Sequence, residues 1–144
     1  LQKIEKKYTN APDDPVILEE YCDFLKEYLS QGFMEKQMEQ IYRNQYTQLL
    51  LKQLEQKVNL HTCVCLMENL MVQRDFFLAE KILKIMDQNW HRGEEYWIWK
   101  IRYLAERKMG NELKQSLQAL KEEHIYLSSR GKEALGFWLD GSKK

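Results

Sequence analysis

The fold is decided by residues 94–123, which read EEYWIWKIRYLAERK (94–108), Met109-Gly110-Asn111 and ELKQSLQALKEE (112–123). Apolar residues recur at helical spacing on both sides of the central tripeptide. In the first segment they occupy two faces, one with Trp97, Ile101 and Leu104 and the other with Tyr96, Trp99 and Tyr103. A helix that is apolar around most of its circumference packs on two sides, as an inner helix of a stacked array or of a bundle does.

The turn of this predicted hairpin is assigned to Met109-Gly110-Asn111. Glycine adopts the left-handed conformation that ends many helices, so Gly110 is expected to end the first helix. Asn111 is expected to cap the second helix, because its short polar side chain can accept a hydrogen bond from a free backbone N–H. The inward stripe of that second helix consists of Leu113, Leu117 and Leu120.

The same reasoning predicts helices along the rest of the chain. Asp14 is the expected cap and Pro15 the first residue of a helix that runs to residue 31 and ends at Gly32. A loop over residues 89–93 is expected to carry Trp90. The other predicted helices cover residues 1–8, 33–57, 63–73 (with Asn59 or Thr62 as the cap), 76–88 and a last segment through 139 that Ser128 or Ser129 caps. The predicted turns at Gly32, Arg74-Asp75 and Gly110 lie roughly 43 and then roughly 35 residues apart, near the ~34 and ~40–47 residue periods of helical repeats.

Composition fits a folded helical protein. Charged residues make up 31% of the chain and hydrophobic residues 44%. The 22 basic residues equal the 22 acidic ones, so no net field attracts nucleic acid or an anionic membrane, although a local basic patch stays open. No apolar run approaches the ~20 residues of a membrane span.

Three cysteines, Cys22, Cys63 and Cys65, form no disulfide framework, which favours a reducing, intracellular compartment. The chain starts at Leu1 inside a helical pattern. It is therefore expected to be a fragment of a longer protein, with residues 1–144 forming a single helical-repeat domain.

The residues of the hairpin resemble the half-a-TPR (HAT) repeat. That family carries a tryptophan, an acidic residue two turns later and a Gly-Asn-like turn, which correspond to Trp99, Glu106, Gly110 and Asn111. The resemblance implies a part in RNA-processing assemblies, a nuclear location and self-association. The segment around Gly32 looks similar to a TPR, with an apolar helix, the glycine and a second amphipathic helix.

One cluster, His61-Thr62-Cys63-Val64-Cys65, contains residue types that bind metal ions or take part in redox reactions. His61 and Cys65 are four residues apart and share a helix face, whereas Cys63 points elsewhere. A tetrahedral zinc site needs four ligands, and the sequence offers no second pair nearby. No phosphate loop or nucleophile motif occurs. We therefore predict no enzyme activity, no metal and no cofactor.

A second cluster combines aromatic and basic residues around the first hairpin helix. Proteins that bind single-stranded RNA stack bases on aromatic rings beside Arg and Lys. The alternative is that these rings pack between helices and the cations face solvent. The candidate partner-binding residues are Trp90, Arg92, Trp99, Arg102, Tyr103 and Arg107, together with Trp138 at the exposed end of the predicted stack.

Taken together, the sequence predicts an all-α fold of antiparallel helix pairs stacked as a short, right-handed, TPR/HAT-like solenoid. The expected function is that of a non-enzymatic scaffold for protein–protein interaction in a nuclear RNA-processing assembly. A partner helix or extended peptide would lie in a groove between helices. Two alternatives stay open: RNA binding through the aromatic-basic cluster, and homodimerisation.

Overall fold

The computed structural model describes residues 2–32 and 34–141, and these residues form eight α-helices without a β-strand. The helices are α1 (Gln2–Asn10), α2 (Pro15–Ser30), α3 (Lys36–Gln56), α4 (Leu60–Gln73), α5 (Phe76–Trp90), α6 (Glu94–Glu106), α7 (Gly110–Glu122) and α8 (Ser129–Gly141). The predicted all-α class is confirmed.

The chain divides into two compact units, with the boundary between Arg74 and Asp75. In the first unit each helix packs against the next in chain order, so α2 contacts α1 and α3, and α3 also contacts α4. In the second unit α6 is central, because it packs against α5, α7 and α8.

The first unit begins with the cap that its sequence predicts. The carboxylate of Asp14 accepts hydrogen bonds from the backbone N–H groups of Val16 (2.9 Å) and Ile17 (3.4 Å), and Pro15 occupies the first turn of α2. This arrangement satisfies N–H groups that the helix itself leaves free. The residues of α2 that are fully or almost fully buried are Leu18, Tyr21, Cys22, Leu25 and Leu29.

A buried polar network joins α3 to α4. The side-chain amide of Asn69 donates to the Thr47 hydroxyl (2.7 Å) and to the Arg43 carbonyl oxygen (3.0 Å), and its oxygen accepts from the Arg43 guanidinium (2.9 Å). Buried polar groups that are all paired fix one arrangement of the two helices, because any other arrangement would leave them without partners.

The second unit is built around the aromatic side chains of α6. Trp97 is 1% exposed, and its indole N–H donates to the His91 carbonyl oxygen at 2.7 Å. Ile101 and Leu104 are buried with it, as the spacing of the sequence predicts. The other buried residues of α6 are Tyr96, Ile98, Trp99 and Tyr103.

The start of α8 is held against α6 by one carboxylate. Glu94 accepts from the backbone N–H (3.2 Å) and the hydroxyl (2.8 Å) of Ser128. The Ser128 hydroxyl in turn accepts from the N–H of Gly131 at 3.2 Å, so Ser128 acts as the predicted cap. A Cβ at residue 131 would lie too close to the Glu94 carboxylate, so a larger residue there would require the Glu94 side chain to shift.

The prediction for the turn between α6 and α7 is wrong. Gly110 is the first residue of α7, and Lys108 is the residue with a left-handed backbone, at φ 56°. The N–H of Met109 donates to the Leu104 carbonyl (3.0 Å) and that of Lys108 to the Ala105 carbonyl (3.1 Å). These two bonds make the Schellman ending of a helix, which satisfies carbonyls that would otherwise be free. Asn111 lies inside the first turn of α7 and caps nothing.

Three other boundaries also differ from the prediction. Trp90 is the last residue of α5 and does not lie in a loop, because no Gly or Pro interrupts the helix before Gly93. α3 begins at Lys36, three residues later than predicted, and the predicted first residue, Phe33, lies outside the described residues. α4 begins at Leu60, with the Asn59 side chain accepting from the N–H of Thr62 at 3.3 Å.

Candidate functional site

Two rings of the predicted aromatic-basic cluster belong to the core of the second unit. Trp99 is 7% exposed and Tyr103 is 5% exposed. The Arg102 guanidinium lies 4.7 Å from the centroid of the Trp99 ring and covers it. The rings therefore pack as the second of the two sequence-based alternatives describes, and they do not present open faces on which a base could stack.

The other cluster residues are engaged in local contacts. Arg107 donates to the Tyr103 hydroxyl at 3.0 Å, and Arg92 donates to the Glu123 carbonyl oxygen at 2.9 Å. Trp90 is half-buried at the end of α5. Trp138 is half-buried on α8, where its ring meets that of Phe137 edge-on at 5.9 Å between centroids, while Phe137 itself is exposed.

The first unit contains an open groove. It has a volume of about 810 Å³ and is lined by α2, α3, α4 and the residues that flank them. Because α3 packs against both α2 and α4, it lies between them and forms the floor, to which Tyr46 and Leu50 contribute. Clefts of this size hold a small ligand or several side chains of a bound peptide.

The walls of the groove differ in charge. The wall at α2 carries three carboxylates, Asp13, Glu19 and Asp23, of which Asp13 pairs with the Lys52 ammonium at 3.3 Å. The opposite wall carries Lys57 and His61. Since Glu19 and Asp23 are exposed, the α2 wall is negative and attracts cationic groups.

Two of the groove's inner side chains are ionisable but keep their protons at neutral pH. Burial raises the pKa of the Cys22 thiol to about 12, and the neighbouring Asp23 carboxylate adds to this shift. Burial also raises the pKa of the Tyr46 hydroxyl, and the neighbouring Cys65 raises it further. These two side chains are therefore neutral, beneath a negative wall.

His61 and Cys65 face each other as the sequence predicts. His61 Nε2 lies 3.6 Å from Cys65 Sγ, and the Lys26 ammonium donates to the same sulfur at 3.6 Å. Cys63 lies in the core, where burial raises the pKa of its thiol to about 11. The three cysteines are free, and no set of three His, Cys, Asp or Glu residues among those described is placed to hold a metal ion.

The groove residues Glu19, Asp23 and Gln53 were not identified from the sequence. Each is a polar residue on a helix surface, and only the packing of α2 and α4 on the two sides of α3 brings them to one cleft. The one usable signal was the His61–Cys65 spacing, which placed both residues on one face of α4.

No family model, curated protein or solved structure matches the chain. Among the helices of the described residues, none combines the length and the apolar composition that crossing a membrane requires.

Proposed function

We propose that this chain is a non-enzymatic scaffold that binds a protein segment in the groove of its first unit. The segment is an extended or helical peptide with basic side chains beside an apolar anchor. The observation that carries the proposal is the groove itself, with Leu50 on its floor and Glu19 and Asp23 along one wall. An apolar anchor in a desolvated pocket supplies affinity, and a charged rim supplies the choice of partner.

The helix packing supports membership in a helical-repeat class. In the first unit contacts follow chain order, and in the second unit α6 contacts both its neighbour α7 and the following helix α8. Repeat proteins have such contacts, because each unit packs only on the adjacent ones. With the HAT resemblance of residues 94–123, the proposal extends to a TPR/HAT-like solenoid in a nuclear RNA-processing assembly.

Binding of two designed peptides tests the groove. One is an amphipathic Leu/Lys peptide, and the other carries Glu at every Lys position. Fluorescence anisotropy should detect binding of the basic peptide only, with affinity that falls as salt rises. The double variant Glu19→Lys/Asp23→Lys should weaken binding about tenfold or more, because two attractive rim charges become repulsive.

The matched control carries the same charge change on α7, outside the groove. Glu112→Lys/Glu122→Lys alters two exposed carboxylates of the second unit and should leave the affinity unchanged. Equal loss in both double variants would show a general charge effect and would contradict a groove site. Equal binding of the acidic and basic peptides would do the same.

Two further probes separate the alternative functions. A single-stranded oligouridylate in the same assay should not bind, because Trp99 and Tyr103 are buried. RNA binding that Arg102→Ala abolishes would favour the aromatic-basic cluster instead. Homodimerisation is a second candidate, favoured by Phe137, which is 83% exposed beside Trp138. A concentration-dependent dimer in sedimentation that Phe137→Ser abolishes would establish it.

A further inference from the structure

Two hydrogen-bonding groups converge on the sulfur of Cys65. The Lys26 ammonium lies 3.6 Å from Sγ, and His61 Nε2 lies 3.6 Å from it. Lys26 belongs to α2, whereas His61 and Cys65 belong to α4, so the cluster exists only in the folded unit.

The roles within this cluster follow from which atoms carry protons. An ammonium group can only donate, so Lys26 donates a hydrogen bond to Sγ. The remaining group, the His61 imidazole, accepts through Nε2 when its proton is on Nδ1, so it is the group that can take the thiol proton.

Ionisation of Cys65 improves both of these contacts. A neutral thiol sulfur is a weak acceptor, whereas a thiolate accepts charge-assisted hydrogen bonds. The thiolate would then face an ammonium and an imidazolium. Cysteines that react readily are found in electropositive surroundings of this kind.

The sulfur-bearing side chain also borders space that a reagent can enter. Cys65 is only 3% exposed, yet it lines both the 810 Å³ groove and a neighbouring cavity of about 210 Å³ that Lys26 and Tyr46 share. Cys22 lines the groove as well, but burial raises the pKa of its thiol to about 12. Cys63 lines neither of these two cavities.

We propose that Cys65 is a site of covalent modification that undergoes thiol–disulfide exchange with small cationic disulfides entering through the groove. The thiolate forms on transfer of the thiol proton to His61. It attacks one sulfur of the disulfide, forming a mixed disulfide at Cys65 and breaking the original S–S bond. The departing thiolate takes the proton from His61, so electrons and protons balance without a further reagent. Glu19 and Asp23 favour a cationic disulfide by charge. The site goes beyond peptide binding and does not depend on it.

Cystamine, which carries two ammonium groups, is the probe, and dithiodiglycolate, which carries two carboxylates, is its matched control. Intact-protein mass spectrometry follows the rate, and peptide mapping assigns the modified cysteine. At pH 7 cystamine should modify Cys65 first and at least about tenfold faster than dithiodiglycolate does, because the wall charge favours the cation. The rate of each thiol is compared with its rate in the urea-unfolded protein, where all three are accessible.

Two substitutions test the cluster itself. His61→Gln should slow modification of Cys65 about tenfold or more, because it removes the proton acceptor and one donor to the thiolate. Its side chain is exposed, and circular dichroism should confirm that the fold is retained. Cys63→Ser is the matched control and should leave the rate at Cys65 unchanged.

The proposal is overturned if Cys22 or Cys63 reacts as fast as Cys65 in the folded protein. It is also overturned if the rate at Cys65 is the same in His61→Gln as in the wild type, or if the anionic disulfide reacts as fast as the cationic one.

Discussion

The central helices of the two units, α3 and α6, each pack against at least two other helices, but they do so with different side chains. α6 buries seven residues within 13, four of them aromatic, whereas α3 buries five within 21. Around α6 the rings of Trp97, Trp99 and Tyr103 fill the space between helices. Along α3 polar side chains such as Gln53 and Gln56 line an open groove.

The difference shows how an open groove arises from composition. A helix with large rings on most of its circumference fills the space between its neighbours, so few interior surfaces remain for a partner. A helix with long polar side chains leaves a solvated cleft between the helices on its two sides. The second unit is thus expected to be the more sensitive to loss of a side chain in its core, and the first unit to changes at the rim of its groove.

Trp97→Ala is the strongest test of this contrast. The substitution removes a ring that is 1% exposed and leaves the His91 carbonyl without its indole partner. We expect the free energy of unfolding to fall by about 3–5 kcal/mol, the usual cost of truncating a buried aromatic side chain. Denaturation with urea, followed by circular dichroism, measures this loss.

The matched control is Trp138→Ala, which removes the same ring from a half-buried position on α8. It should cost less than half as much, because the ring buries less area. Equal losses in the two variants, or a loss below about 1 kcal/mol for Trp97→Ala, would contradict the view that the buried rings of α6 stabilise the second unit.

A second test compares the turns that lead into α3 and α7. Gly32 has a left-handed backbone at φ 71°, and Gly110 is helical, while a Cβ at either residue would meet nothing within 4 Å. Gly32→Ala should therefore destabilise by about 1 kcal/mol, because alanine is strained in that conformation. Gly110→Ala should stabilise by up to about 1 kcal/mol, because alanine favours a helix.

Thermal and urea unfolding of both glycine variants shows whether each substitution raises or lowers the free energy of unfolding. The result also decides between the turn expected from the sequence and the one in the structure. If Gly110 were the left-handed residue, Gly110→Ala would destabilise as much as Gly32→Ala does. Lys108→Gly provides an independent check, since it should relieve strain at φ 56° and stabilise the protein.

The features that the sequence predicts correctly are those with a local cause. Asp14, Asn59 and Ser128 cap helices because a short polar side chain can reach the free N–H groups of its own chain segment. The burial of Trp97 and Leu104 follows from helical spacing. The all-α class follows from many such signals, each of which can be recognised without knowledge of distant contacts.

The turn between α6 and α7 was predicted wrongly because a residue that rarely adopts a left-handed conformation adopts it there. Lys108 takes a left-handed conformation at the end of α6, at φ 56°. Lysine is rarely found in that conformation, and Gly110, two positions further on, is the residue type that adopts it most often. The Schellman hydrogen bonds at Lys108 and Met109 satisfy helix carbonyls, which offsets the cost of the strained residue.

The candidate site was harder to predict than the fold. Aromatic residues beside cations at Trp99, Arg102 and Tyr103 fit either an RNA-binding surface or a core, and only packing decides between them. The groove in the first unit depends on three helices that bring together residues from 13 to 65, and no local pattern encodes that arrangement. The His61–Cys65 pair was found because both residues lie on one helix.

The smallest expected effect comes from comparing His61 of the first unit with His91 of the second. His61 faces a thiol, whereas His91 lies between two carboxylates, with Nε2 2.6 Å from Glu123 and Nδ1 hydrogen-bonded to Asp87. The bond to Glu123 contributes most to raising the pKa of His91 above 6.5, and the bond to Asp87 comes next. A group with a raised folded pKa stabilises fully below its unfolded value, and this stabilisation is lost as pH rises through the folded pKa.

His91→Gln should therefore destabilise the protein more at pH 6 than at pH 9. Because the His91 side chain is 40% exposed, solvent screens these pairs and the difference should stay below about 1 kcal/mol. Urea unfolding followed by tryptophan fluorescence reports this directly, since all four tryptophans lie in the second unit. In a Glu123→Gln background the pH dependence of the His91→Gln effect should shrink, because the main cause of the raised pKa is gone. An unchanged pH dependence in that background would show that the contact between His91 and Glu123 is not the source of the stabilisation.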